Sequence, residues 1–384
     1  MFDETVRLMR DHFWRDDMGG TDWDAVAARY RPLVDRAGGH DDVVDLLWET
    51  VAELDTSHAY VIPPDDASAR EEVQGLLGAD LVVADDGTWS IATILPGESS
   101  DPRAASPLRA AGVGAEPGDV VTEVGGKPVD PVFGPGPGLV GTAGSPTELT
   151  LQRGDERRRV VVVPLADDEP LRYQAWVADR RRYTAERTDS RVGYLHIPDM
   201  MAEGWSQLMR DLTLAIDCEG IVVDVRYNRG GHLSQLVAEM LARRIYGFQL
   251  GRHAGAFTYP DHAPRGPLVF VANQWSGSDG DIITAMAQEM GIGPVVGVRT
   301  WGGVVGIDGR FTLVDGTSVT QPRYATWIRN RGFTVENHGV DPDIEVAMTP
   351  SDWVAGADPQ LDTAIDEVLS LLTQHPAIEP PEVP

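Results

Sequence analysis

Apolar residues recur at helical spacing through the first sixty positions. Phe2, Val6, Met9 and Phe13 fall on one face, "TDWDAVAARYRPLV" follows with Thr21 or Asp22 as its N-cap, and "HDDVVDLLWETVAEL" repeats the pattern. The acidic faces of these helices read as solvated surface, and the last one ends at "DTSHAYVIPP", where proline stops regular continuation. The period then changes. From about residue 66 to 165, short β-like runs (Leu81 to Val83, Trp89 to Leu95, Val120 to Val124, Leu149 to Leu151, Val160 to Val163) alternate with turn residues. The loop "FGPGPGLVGTAGS" there is too rich in glycine and proline for regular structure.

After "LADDEP" the pattern becomes strand, turn, helix, repeated. The helix "YQAWVADRRRYTAER", whose arginines read as a solvated face, precedes the strand "RVGYLHI" and a helix near "GWSQLMRDLTLAI". Then come "GIVVDVRY", the turn "NRGG", the helix "LSQLVAEMLARRIY", the strand "GPLVFVA", a serine-bearing turn and the helix "DIITAMAQEM". "PVVGVRT", "GRFTLVDG" and "TSVTQPRYAT" complete the series. Such units predict an α/β domain around a largely parallel sheet, with function in the loops that follow the strands. The expected division is a helical segment at 1–65, a β-rich domain at 66–165, an α/β core at 166–374 and a disordered tail, "HPAIEPPEVP", at 375–384. No solenoid or propeller repeat is present.

Composition narrows the function classes. The net charge of −28 over 384 residues argues against nucleic acid and against anionic membranes as partners. No apolar run is long enough to span a bilayer, and "MFDETVRLMRDHFW" has no signal-peptide core, so a soluble cytoplasmic protein is expected. Lys127 is the single lysine, which reads as compositional bias. The single cysteine, Cys218, permits no intrachain disulfide and reads as an incidental thiol.

The candidate chemistry lies in "NQWSGSDGDI", at the end of an apolar strand. Ser278 stands between Gly277 and Asp279, where a nucleophile could precede a helix. Such a serine needs a base, a group to orient that base, and N–H donors for an oxyanion. Donors are available from Asp279 and from "YNRGGH", where Gly230 and Gly231 leave the backbone bare. "SGSDG" departs from the G-x-S-x-G elbow, because Ser276 takes the place of the first glycine. Lys127 lies in a distant hairpin, which excludes a serine–lysine dyad and leaves histidine as the base. His58 in "DTSHAY" is the leading candidate and His232, beside the glycine turn, its rival; His253, His262 and His338 stay open. No histidine pair has metalloprotease spacing, so no metal or other cofactor is expected.

Two resemblances sharpen this reading. The order of elements in "SPLRAAGVGAEPGDVVTEVGGKPVD" resembles a PDZ domain, whose peptide-binding loop would correspond to Leu77, Gly78 and Ala79 within "GLLGADL". Nearly the whole chain resembles the C-terminal half of the tricorn proteases, through "ELDTSHAYV", "SPLRAAGVGAEPGD", "GYLHIPDM", "DVRYNRGGH", "NQWSGSDGD" and "ENHGVDPDIEV". That resemblance implies a crotonase-like/ClpP-like α/β core with an N-terminal helical segment and an inserted PDZ domain, here without the family's two β-propellers. It also implies a serine–histidine–serine–glutamate tetrad: Ser278 as nucleophile, His58 as base, Ser57 and Glu336 polarising the histidine, and an oxyanion hole from the N–H groups of Gly231 and Asp279. Peptide substrates and a homo-oligomer such as a hexameric ring are implied too. The family's preference for basic residues is attributed to an acid after the second core helix. "RRIYGFQLGRHAGAF" contains none, so a neutral or apolar pocket is equally expected. The leading expectation is a serine peptidase; the alternatives are a non-catalytic PDZ scaffold on a dormant protease fold, and an acyl-transfer or coenzyme A enzyme.

Overall fold

The computed structural model describes residues 1–65, 72–99, 101–253, 255–309 and 311–382, with Asp308 described by its backbone alone. Two units separate: Met1–Asp65 with Tyr183–Pro384, and Asp66–Arg182.

In the second unit, antiparallel strands β1 (Ala79–Val83), β2 (Trp89–Ile94), β3 (Val120–Val124), β4 (Thr147–Arg153) and β5 (Glu156–Val162) lie in the order β1-β2-β3-β4-β5, with Lys127–Pro128 paired to β3. Alternate residues of these strands, including Ile91, Val121, Leu149 and Leu151, fill its core. The unit extends beyond residue 165, the expected boundary, into the helix Glu169–Thr188. Leu171 explains this, because it is fully buried with Leu95 and Ala104, while Arg172 pairs with Asp80 at 2.8 Å. The arginines of that helix are not a fully solvated face: Arg180 and Arg181 are half-buried.

In the first unit, helices α1 (Phe2–His12), α2 (Trp23–Val34) and α3 (His40–Ala52) share a core of Phe2, Leu8, Met9, Trp23 and Leu47. Asp22 caps α2 by accepting from the Ala25 N–H at 3.0 Å. The other part is a five-stranded sheet made only of parallel pairs. Its strands β6 (Val192–His196), β7 (Gly220–Asp224), β8 (Leu268–Ala272), β9 (Val295–Gly297) and β10 (Ile344–Glu345) lie side by side in chain order. All five residues of each of β6, β7 and β8 are buried, which accounts for their unbroken apolar runs. Helices α4 (Ala202–Ala215), α5 (Ser234–Leu241) and α6 (Asp279–Glu289) pack Leu208, Leu212, Val237 and Ile283 onto the sheet. Helix α7 (Pro359–Gln374) packs against β7, β8 and β9.

The stretch expected to be a disordered tail is held along its first part. The Ile378 N–H donates to the Arg265 carbonyl at 2.8 Å, Arg265 Nε returns a bond to the Ile378 carbonyl at 3.0 Å, and Glu379 pairs with Arg265 at 2.5 Å. Its composition signals disorder, but one arginine supplies both hydrogen bonding and charge.

Candidate active site

β7 and β8 run parallel in register from Leu268↔Ile221 to Val271↔Asp224, so the turns after them leave the same edge of the sheet. A buried ion-pair cluster anchors the first turn. Arg226 bonds Asp224 at 2.7 Å and Asp358 at 2.8 Å, while the Tyr194 hydroxyl donates to Asp224 at 2.9 Å. Asn228 then ties the turns together. Its side chain donates to the Ile197 carbonyl at 2.8 Å and accepts from the Gly230 N–H at 2.9 Å, and its carbonyl accepts from Gly277 N–H at 2.9 Å. On the second turn, Asn273 Oδ1 accepts from the N–H groups of Tyr227 and Trp275, both at 3.1 Å. The Ser276 hydroxyl donates to the Val225 carbonyl at 2.8 Å, which explains a serine where an elbow would carry glycine.

Ser278 therefore sits half-buried at the head of α6, with φ 59° and ψ −119°. A serine at positive φ is strained, and such strain persists only where the surroundings impose it. Gly230 faces it so closely that a Cβ there would lie 2.4 Å from Ser278 Cβ. The next residue in that turn, Gly231, is pinned by Met200: a Cβ on Gly231 would lie 2.2 Å from the Met200 carbonyl oxygen. Neither the Gly231 nor the Asp279 N–H has a hydrogen-bond partner among the described residues. The Asp279 carboxylate is engaged elsewhere, accepting from the N–H and hydroxyl of Ser234 at 3.0 and 2.8 Å.

Glu336, Ser57 and His58 form a continuous chain. The Ser57 hydroxyl donates to Glu336 Oε2 at 3.0 Å and lies 2.9 Å from His58 Nδ1. A carboxylate only accepts, so the hydroxyl proton is committed to Glu336. Ser57 Oγ must then accept from Nδ1–H, which leaves Nε2 as the unprotonated nitrogen of the neutral ring. The Glu336 carboxylate is oriented by the N–H groups of Ser57 at 2.6 Å, Val304 at 2.7 Å and Val305 at 3.0 Å. Burial lowers the His58 pKa from its ordinary value, against the opposing charge of Glu336. His58 has φ 60°, and its carbonyl accepts from the Thr320 hydroxyl.

No hydrogen bond joins Ser278 to His58 among the described residues; Trp301 links their surroundings instead. Its ring stands edge-on to His58, with centroids 5.3 Å apart. It also crowds Gly277, where a Cβ would meet the ring at 2.9 Å. A cavity of about 390 Å³ opens beside it, lined by Thr56, Ser57, Trp301 and Asn337 among others. His232 is exposed and holds the Met200 carbonyl through its backbone N–H at 2.9 Å. Among the described residues no cluster of metal-ligating side chains occurs, and no helix is long and apolar enough to cross a membrane.

In the other unit, Leu77 is buried and its carbonyl accepts from the Ser106 hydroxyl at 3.2 Å. Gly78 has φ 62° and fits closely against Ser106 and Leu171. Ala79 opens β1, the edge strand of that sheet.

Sequence reasoning missed Asn228, Asn273, Trp301 and Asp281 as parts of the arrangement. The two asparagines carried a signal, since each follows a buried strand immediately before a glycine-rich turn. Trp301 and Asp281 carried none that periodicity could register.

Three stretches of the chain match known protein families. Residues 191–346 match peptidase family S41, residues 75–167 the tricorn protease PDZ domain, and residues 1–52 the tricorn protease C1 domain. The fold and this match place the α/β core in the class of peptidase family S41 domains. More narrowly, the chain belongs to the tricorn protease family, as an α/β core with an inserted PDZ domain. It is 60% identical over its whole length to tricorn protease homolog 1 of Streptomyces coelicolor, covering 36% of that protein. It is 36% identical over 98% of its length to the tricorn protease of Thermoplasma volcanium, again covering 36% of the relative. A crystal structure of tricorn protease superposes with a TM-score of 0.90 over 97% of this chain and 36% of that one, at 34% identity. The chain thus spans about a third of the length of these relatives.

Proposed function

We propose that this chain cleaves peptide bonds through an acyl-enzyme on Ser278. The observation that carries the reading is the unbroken chain Glu336–Ser57–His58, which leaves a neutral imidazole with its free nitrogen available as a base.

In this mechanism His58 Nε2 takes the Ser278 proton as Oγ attacks the peptide carbonyl carbon. The carbonyl π electrons move to oxygen, and the N–H groups of Gly231 and Asp279 stabilise the oxyanion. As the C–N bond breaks, the departing amine takes the proton from His58, leaving an ester on Ser278. Water then attacks the ester carbonyl and gives its proton to His58. Collapse of the second tetrahedral intermediate breaks the C–O bond to Ser278, which recovers the proton from His58. Ser57 and Glu336 hold the ring in the required tautomer and stabilise the imidazolium formed in both steps.

By the resemblance, peptides or oligopeptides would be the substrates and a homo-oligomer, such as a hexameric ring, the working assembly. We carry both over as proposals, with a cytoplasmic location and with Leu77, Gly78 and Ala79 as the peptide-binding loop of the PDZ domain. The test of catalysis is incubation with a fluorophosphonate, followed by intact mass and peptide mapping. One adduct on Ser278, abolished by His58→Ala, is the expected result. A folded, assembled protein with no adduct would favour a non-catalytic peptide-binding scaffold.

A further inference from the structure

Five successive backbone N–H groups, from Trp301 to Val305, end on parts of the candidate site. Trp301 donates to the Ser276 carbonyl at 3.1 Å. Gly302 and Gly303 donate to the Asp281 carboxylate at 2.8 and 3.4 Å. Val304 and Val305 donate to Glu336 at 2.7 and 3.0 Å. Glu336 belongs to the chain ending at His58, whereas Asp281 has no part in the proposed chemistry. It lies in the first turn of α6, three positions after Ser278, and is fully buried. Its third donor is the Thr300 hydroxyl at 2.5 Å.

A short loop is therefore held between two carboxylates, one on the nucleophile's helix and one on the base's support. Gly302 makes this possible at φ 93°, where a Cβ would meet the Gly339 N–H nitrogen at 2.6 Å. Trp301 projects from the held loop against both His58 and Gly277. Resting on the catalytic reading above, we propose that Asp281 is a positioning residue, which fixes the 300–305 loop and through Trp301 sets His58 against Ser278. A buried carboxylate is costly in an apolar interior, and burial raises the Asp281 pKa to about 6 against the hydrogen bonds that lower it. The Thr300 hydroxyl and the N–H groups of Gly302, Gly303 and Ser278 offset that cost.

The test pairs Asp281→Ala, which frees all of these donors, with Asp281→Asn, which keeps an acceptor for Thr300 and Gly302 and turns an N–H toward Gly303. Two readouts are taken: the rate of fluorophosphonate labelling of Ser278, and the indole N–H resonance of Trp301, assigned by its loss in Trp301→Phe. A folded Asp281→Ala is expected to label about 10²-fold more slowly, as small misplacements of reacting groups do, with a shifted Trp301 resonance. Asp281→Asn, which loses the acceptor for Gly303, is expected to recover only part of the rate, with the Trp301 resonance displaced less than in Asp281→Ala. Wild-type labelling together with an unmoved resonance in Asp281→Ala overturns the proposal. If that variant fails to fold, Asp281→Asn decides: a displaced Trp301 resonance supports the clamp and an unmoved one overturns it. The resonance also separates the two readings, because an unlabelled wild type sinks the peptidase while a shifted Trp301 still shows the clamp.

Discussion

Ser57 and Glu336, 279 positions apart in the chain, share two hydrogen bonds: backbone N–H to Oε1 at 2.6 Å and hydroxyl to Oε2 at 3.0 Å. The first places the glutamate and the second commits the serine proton, so together they determine which nitrogen of His58 is free.

Removing that hydroxyl should therefore act on turnover. Ser57→Ala leaves the backbone bond to Glu336 but strands Nδ1–H. We expect kcat to fall by about 10²-fold with KM little changed, measured on a fluorogenic peptide. An unchanged kcat would remove Ser57 from the mechanism.

The pH profile follows from His58. Its pKa is lowered by burial, so the neutral base persists below the ordinary imidazole range and the acid limb attributable to His58 lies below about 6.5. Glu336 opposes that shift. Glu336→Gln should therefore lower kcat and move the His58 limb to still lower pH; movement to higher pH would contradict the assigned coupling. For stability the sign is that of a depressed histidine. The unfolded chain binds the proton first, so this contribution is present above the ordinary pKa and is lost as pH falls toward the folded one. Thermal melts of wild type and His58→Ala across that window would read it.

Gly230→Ala tests the closeness of the two turns. The new Cβ would sit 2.4 Å from Ser278 Cβ, and the backbone there has φ 77°. The strain is expected to cost about 1–3 kcal/mol, read from denaturant midpoints, with Ser278 labelling suppressed. Wild-type labelling in a protein of unchanged stability would show that the glycine turn and the serine turn do not meet.

The buried cluster under the first turn gives a stability prediction. Asp224→Ala removes one partner of Arg226, which is 2% exposed. Leaving part of a buried charge uncompensated should cost about 3–5 kcal/mol in urea unfolding, and a loss below 1 kcal/mol would contradict it.

Local pattern alone determined much of this protein. Buried parallel strands show as unbroken apolar runs, amphipathic helices as a 3.6-residue period, and Ser278 and Gly231 as small residues just after strands. Each signal comes from backbone geometry imposed over a few neighbouring residues. Contacts across the chain are different. Glu336 reads locally as a surface carboxylate, and only family resemblance joined it to Ser57 and His58. The packing of Trp301, the burial of Asp281 and the anchoring of Ile378 by Arg265 were decided by tertiary structure, because the partner that satisfies each group is remote in sequence. A buried carboxylate and an exposed one have the same letter, and only the donors brought to it by folding tell them apart.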